Sequence, residues 1–338
     1  MKAVAVQEPG KAKLIDIPEP SHRSDEALLQ VRMIGLCGTD LNTFRGKNPL
    51  VTFPRVLGHE VAATVLHTGS GPHNGLREGS AVTLAPYTAC GQCASCLRGR
   101  PNACRHNQTL GVQRDGALTE RLAVPAEKLY SAQLSLKELC LVEPLTVGFH
   151  AAARGRVTVS DTVAVFGCGG VGLGAISAAA FHGARVIAID RDDAKLEIAC
   201  KAGATNVIHS DKENLHARLG ELTGGKGPDC MIEAIGLPQT FRACVEEVAF
   251  TGRVVYIGYA KEPVPYETSL FVQKELDILG SRNALSEDFR EVIRMLEEKR
   301  FPVDDVISAI VTIEEAPEIL RQWSENPLKF TKIMVQVS

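Results

Sequence analysis

The stretch Thr162-Val-Ala-Val-Phe-Gly-Cys-Gly-Gly-Val-Gly172 decides the fold. Its first five residues, rich in β-branched and aromatic side chains, read as a buried strand. Gly167, Gly169 and Gly172, with Gly170 and Val171 between them, match the Gly-x-Gly-x-x-Gly spacing, and a helix follows through Phe181. Glycines there permit a tight turn, close approach of backbone to a pyrophosphate, and tight helix packing. The helix N-terminus supplies free N–H groups and partial positive charge for the phosphates. Asp190 stands eighteen residues past Gly172, at the end of a second strand, Arg185–Asp190. A carboxylate there hydrogen-bonds ribose hydroxyls and repels a 2′-phosphate, which favours NAD over NADP. The adjacent Arg191 could accept that phosphate instead. FAD is the rival ligand, but it takes such a motif near a chain start, and this one lies mid-chain.

Outward from this loop the pattern alternates. Helix Asp193–Lys201, strand Thr205–His209 and helix Leu215–Leu222 are followed by strands at Asp229–Ala234, Arg253–Gly258 and Leu276–Leu279. Six strands alternating with helices describe an α/β fold with a doubly wound parallel sheet. Upstream, residues 1–145 read as short strands between Gly- and Pro-rich turns, a β-rich, barrel-like domain. Candidate strands there are Ala27–Met33, Val61–His67, Ala81–Leu84 and Leu118–Val124, and the pattern changes after Pro144. An amphipathic helix over 287–298 and a last strand over 329–337 follow the alternating region. That strand is expected to return to the first domain. The parallel-sheet domain, 146–284, is then inserted in a β domain made of 1–145 and 285–338.

A chain of 338 residues accommodates about two domains. A net charge of -3 gives no electrostatic reason to expect nucleic acid or an anionic membrane. The apolar window Val163–Ala180 is interrupted by five glycines and reads as core rather than as a membrane span. Met1-Lys-Ala-Val-Ala-Val6 alternates into Pro9-Gly10, a strand and turn rather than a signal segment. Of ten cysteines, four fall between Cys90 and Cys104. That crowding fits metal binding in a reducing cytoplasm better than a secreted disulfide framework.

Cys90-x2-Cys93-x2-Cys96-x7-Cys104 can close a thiolate tetrahedron around one zinc, a structural site with no open position. An iron–sulfur cluster is the chemical rival, but nothing else resembles a ferredoxin domain. Cys37-Gly-Thr-Asp40 and Gly58-His-Glu60 offer a thiolate, an imidazole and a carboxylate. That mixed set suits a catalytic zinc with one open position.

In this order the motifs resemble those of the zinc-containing medium-chain dehydrogenases, nearest the sorbitol, threonine and sugar-acid (L-galactonate, L-idonate-like) branch. The resemblance spans essentially the whole chain. It rests on Gly35-Leu-Cys-Gly-Thr-Asp40, Pro54-Arg-Val-Leu-Gly-His-Glu60, the four-cysteine lobe (about 86–108), Val142-Glu-Pro-Leu145 and the glycine loop. It implies a GroES-like β-barrel catalytic domain around a Rossmann domain, with the active site between them, two zincs per chain, and NAD. It further implies a homo-oligomer, tetramer or dimer. Cys37, His59 and Glu60 then look like ligands or close partners of the catalytic zinc, with Glu143 offering a further carboxylate. Thr39 resembles the hydroxyl that passes the substrate proton outward, and Lys195 the base that meets the adenosine ribose. The chain departs from the pattern at Asn42, where many relatives carry His, and at Ala63, where Gly is usual. Arg282 could pair with Glu143 or bind a substrate carboxylate. The pattern favours a secondary alcohol of a hexonate or polyol. A threonine-type amino-alcohol dehydrogenase, a zinc-free reductase and a non-catalytic NAD sensor are the alternatives.

Overall fold

The computed structural model describes residues 1–69 and 75–338. The chain divides into two compact units, Met1–Glu143 with Val303–Ser338, and Pro144–Pro302. Among the described residues no helix is long and apolar enough to cross a membrane.

In the first unit, the eleven-residue strand Glu26–Leu36 organises a mostly antiparallel sheet. Glu60–His67 pairs along one edge, Arg121–Pro125 and the C-terminal strand Lys332–Gln336 along the other. Ala81–Leu84 and Leu129–Ser131 extend the sheet on one side, and Ile307–Thr312 extends it on the other, parallel to Lys332–Gln336. Alternating burial along Glu26–Val31 turns Ala27, Leu29 and Val31 into a core completed by Val61, Ala63, Leu118, Leu320 and Ile333. The terminal strand is shorter than the expected 329–337. Ile307–Thr312 and the helix Ala316–Glu325 lie where no element was expected. The strand's alternation runs apolar inward and mixed outward, a pattern weak on either reading.

In the second unit the parallel sheet runs Asn206–His209, Arg185–Asp190, Thr162–Phe166, Cys230–Glu233, Arg253–Tyr256, Asp277–Gly280. By chain rank this is 3-2-1-4-5-6, the doubly wound order whose reversal falls beside the glycine loop. Helix Leu136–Arg154 crosses from one unit to the other. Pro144, expected to mark the change of pattern, lies inside this helix. Its true start is set by the capping pair Ser135 and Glu138: the Ser135 hydroxyl accepts from Glu138 N–H, and the Glu138 carboxylate accepts from Ser135 N–H at 2.8 Å. The later boundary lies at 302/303 rather than at 284/285. Helix Ser286–Glu297 packs with the second unit, through His150–Asp288 at 2.9 Å and His182–Glu291 at 3.3 Å.

Helix Gly170–Phe181 is apolar on all sides, as suits a helix buried on all sides. It meets helix Leu136–Arg154 where Gly148 faces Gly174. A Cβ on Gly148 would lie 2.1 Å from the Ala175 nitrogen and 2.2 Å from the Gly174 carbonyl carbon. Backbone cannot move aside as a side chain can. Gly148→Ala is therefore expected to destabilise the protein by about 3 kcal/mol, read as a lowered midpoint of chemical unfolding; a midpoint within error of the parent would contradict this packing.

Candidate functional site

Cys37 caps the helix Gly38–Phe44, and the cap builds the site. Its sulfur accepts from Thr39 N–H at 3.5 Å, while Asp40, at the third helical position, returns its carboxylate to Cys37 N–H at 2.9 Å. The other Asp40 oxygen accepts from Gly58 N–H at 3.3 Å and lies 4.0 Å from His59 Nδ1. One buried carboxylate thus ties the Cys37 turn to the His59 turn. Gly58 adopts φ +95°, and a Cβ there would lie 3.0 Å from both the Ile34 side chain and Leu118 N, so glycine is required.

Glu60 opens the strand Glu60–His67 opposite Gly35, where any Cβ would lie 2.0 Å from Glu60 Oε2. Both Glu60 oxygens sit 2.7 Å from Lys332 Nζ, and both residues are buried. Burial would lower the Lys332 ammonium pKa, but Glu60 and then Cys37 hold it above its ordinary value. Glu143 is also buried, and its Oε1 accepts from the Tyr87 hydroxyl. Burial pushes the Glu143 carboxyl up, against the pull of His59. Burial and then Glu143 raise the Tyr87 phenol well above its usual range, so it is a donor.

One ligand atom each from Cys37, His59 and Glu60 lies within 4.8 Å of the others. His59 Nδ1 is buried without a hydrogen-bond partner. Burial would lower the imidazole pKa, yet Asp40, Cys37 and Glu143 raise it well above 6.5. Asp40, Glu60 and Glu143 are buried around Cys37, His59 and Lys332, a surplus of carboxylates that a divalent cation would offset. Sulfur, imidazole and carboxylate are donors that suit zinc.

Cys90, Cys93, Cys96 and Cys104 form a second group within the same ligand spacing. Cys104 sulfur accepts from the N–H groups of Cys90 and His106, both at 3.3 Å. Ser95, with backbone N–H groups of Arg105 and Cys96, brings the Cys93 thiol down to about 5, while burial and Cys93 push Cys96 up to about 11. Backbone donors aimed at sulfur favour thiolates, the form a closed zinc shell uses.

In the second unit Gly167 has φ +95°, Gly169 caps the helix Gly170–Phe181, and a Cβ on Gly172 would lie 1.8 Å from the Gly167 carbonyl oxygen. Val171 sits in the first turn of that helix. Asp190 ends the second strand and accepts from Cys168 N–H and Arg191 N–H, each at 2.7 Å. The carboxylate thereby stays fixed against the glycine turn. Lys195 N–H caps onto Asp192 at 3.2 Å, and the Arg191 and Arg282 side chains are exposed. At the end of the fourth strand, Glu233 accepts from Ile235 N–H at 3.0 Å and Gly236 N–H at 2.8 Å, shaping the loop that packs on Gly167.

The structure therefore gathers Cys37, His59 and Glu60 as one group and the four lobe cysteines as another. Glu143 enters the first neighbourhood through Tyr87 and its effect on His59. Asp40, Tyr87 and Lys332 were not foreseen. The capping-box spacing Cys37-x-x-Asp40 signalled the first, and a lone Lys in the apolar run Phe330–Val335 signalled the third. No spacing in the sequence pointed to Tyr87.

Comparison with known proteins shows the family. Residues 23–133 match the alcohol dehydrogenase GroES-like domain family, and residues 170–298 the zinc-binding dehydrogenase family. The chain is 34% identical, over 98% of each chain, to an uncharacterised zinc-type alcohol dehydrogenase-like protein of Haemophilus influenzae. It is 32% identical, over 91% of each chain, to L-galactonate-5-dehydrogenase of Escherichia coli. The crystal structure of an Escherichia coli alcohol dehydrogenase, RspB, complexed with NADH superposes with a TM-score of 0.91 at 27% identity, covering 99% of each chain. With full-length likeness in sequence and fold, and with both cysteine-based clusters assembled, the protein belongs to the zinc-type alcohol dehydrogenases.

Proposed function

We propose that this dehydrogenase moves a hydride between NAD and a secondary alcohol of a sugar acid or polyol, with Cys37, His59 and Glu60 holding the catalytic zinc and Glu143 in reserve. The observation that carries the reading is the convergence of those three ligand atoms within 4.8 Å, with His59 and Glu60 buried and Asp40 and Glu143 buried as well. Zinc bound there supplies Lewis acidity to a substrate oxygen, and NAD supplies the hydride acceptor. Cys90, Cys93, Cys96 and Cys104 hold the second, structural zinc.

Thr39 stands in the first turn after Cys37 and is half-buried, so its hydroxyl is the group assigned to take the substrate proton while passing its own outward. Asn42, one turn on, is exposed and does not titrate near neutral pH, so the proton leaves to solvent rather than to a side chain at that position. Gly167, Gly169, Gly170 and Gly172 take the pyrophosphate of NAD, Asp190 its ribose, and Lys195 the same end of the cofactor. Asp190 is already pinned by backbone donors, and its negative charge opposes a 2′-phosphate. The likeness to L-galactonate-5-dehydrogenase favours a hexonate, with exposed Arg282 assigned to the substrate carboxylate. An amino alcohol is the second reading; initial rates on a hydroxy amino acid beside the hexonate distinguish them.

Cys37→Ser is expected to abolish turnover and lower the zinc content from two per chain to one, while NADH binding followed by fluorescence persists. Retained turnover would sink the assignment. For substrate class, initial rates on a hexonate and its matching hexitol should favour the hexonate, and Arg282→Ala should shrink that preference about tenfold or more. Equal preference for the hexitol in both proteins removes Arg282 from substrate recognition. Replacing Lys332 with Met leaves Glu60 buried without its counter-charge and should cost about 3–5 kcal/mol in the metal-stripped protein, measured by chemical unfolding.

A further inference from the structure

The four-cysteine lobe carries a charge pattern that metal binding does not use. No Asp or Glu occurs between Glu78 and Asp115, although the whole chain has 40 acidic residues against 37 lysines and arginines. Within that stretch Arg98, Arg100, Arg105 and His106 are exposed, and with Gln92 and Ser95 they frame one open cavity of about 630 Å³. Among the described residues no carboxylate pairs with any of these three guanidinium groups. An acidic protein has thus gathered unpaired cations around a single concavity.

The arginines spring from backbone that is already fixed. Arg98 ends the helix Ala94–Leu97, its N–H donating to the Ser95 carbonyl at 3.2 Å. Gly99 then turns at φ +70°, and Arg100 N–H returns to the same carbonyl at 2.9 Å. Cys104 N–H donates to the Pro101 carbonyl at 3.0 Å and Asn107 N–H to the Cys104 carbonyl at 3.2 Å, which sets the turn carrying Arg105 and His106. The sulfurs draw their donors from backbone, Cys104 from the N–H groups of Cys90 and His106, and Cys93 from those of Arg105 and Cys96. Four thiolates around one divalent zinc also leave a net negative charge smaller than the positive charge of three arginines. The guanidinium heads are therefore left for something outside the chain.

A guanidinium presents a rigid fork of donors that matches phosphate and carboxylate oxygens. A flat carboxylate offers its two oxygens in one plane, whereas a tetrahedral phosphate can meet forks from several sides at once. The cavity lies within the range of about 300–1,000 Å³ usual for small-molecule sites. We propose that the concavity framed by Arg98, Arg100 and Arg105 binds the phosphate group of a small phosphorylated molecule, at a site separate from the glycine loop.

Calorimetric titration of the zinc-loaded protein with phenyl phosphate tests this, at fixed ionic strength and with NADH saturating the glycine loop. Saturable binding is expected. Arg98→Gln and Arg105→Gln should each weaken it about tenfold with zinc content unchanged, and Arg282→Ala should leave it unaltered. Glutarate, a dianion of two flat carboxylates, should bind about tenfold more weakly than phenyl phosphate. Arg100→Gln gives an independent measurement should either of the other lobe variants lose zinc. Absence of saturable binding in the presence of NADH overturns the proposal, as does binding that no lobe variant weakens. Weakening by Arg282→Ala alone moves the anion to the substrate site and overturns it too. Glutarate binding as tight as that of phenyl phosphate overturns the assignment to phosphate.

Discussion

Asp40, Glu60 and Glu143 are all buried around Cys37 and His59, and the burial of that much anionic character constrains everything near it. An ionised carboxylate taken out of water must find donors or counter-charge, or it will not stay ionised. Asp40 accepts from the backbone N–H groups of Cys37 and Gly58, Glu143 accepts from the Tyr87 phenol, and Glu60 meets the Lys332 ammonium. The last solution reaches furthest, since Lys332 lies 272 residues beyond Glu60 in sequence. The C-terminal strand does not merely close a sheet; it delivers the cation. Gly35 is part of the same solution, because any side chain there would occupy the Glu60 carboxylate's place.

The two cysteine-based clusters contrast in how locally they are made. The lobe draws all four sulfurs from fifteen residues and aims nearby backbone N–H groups at them, so it needs little help from the rest of the fold. The Cys37 cluster joins a helix cap, a left-handed glycine turn and the first residue of a strand, and it is locked by a residue from the end of the chain. A closed, local shell suits a structural ion. A site assembled from separate elements can leave one side of the metal open for chemistry.

The glycine loop uses carboxylates in a similar way. Asp190 carries the charge expected to face a ribose, and it also caps the N–H of Cys168 within the glycine turn. Glu233 repeats the device at the end of the fourth strand, where it organises the loop that packs on Gly167. In both cases a carboxylate at a strand's carboxyl end orders a turn whose backbone lies near the sheet's reversal point.

The glycine spacing, the strand–helix alternation, the four-cysteine run and the Cys37 and His59-Glu60 motifs were all legible in sequence, because each is a short-range pattern with its own backbone or donor chemistry. The six parallel strands follow from that alternation, to within a residue or two at their ends. Helix Leu136–Arg154 was not read from the sequence, because Pro144, taken as the change of pattern, outweighed the Ser135-x-x-Glu138 cap. The later unit boundary was misplaced because the packing of helix Ser286–Glu297 depends on His150 and His182, far away in sequence. Local spacing determined which residues could bind metal and nucleotide. Only the tertiary structure brought Lys332 to Glu60 and Tyr87 to Glu143, because they arrive through sheet pairing and turn packing that no local pattern encodes.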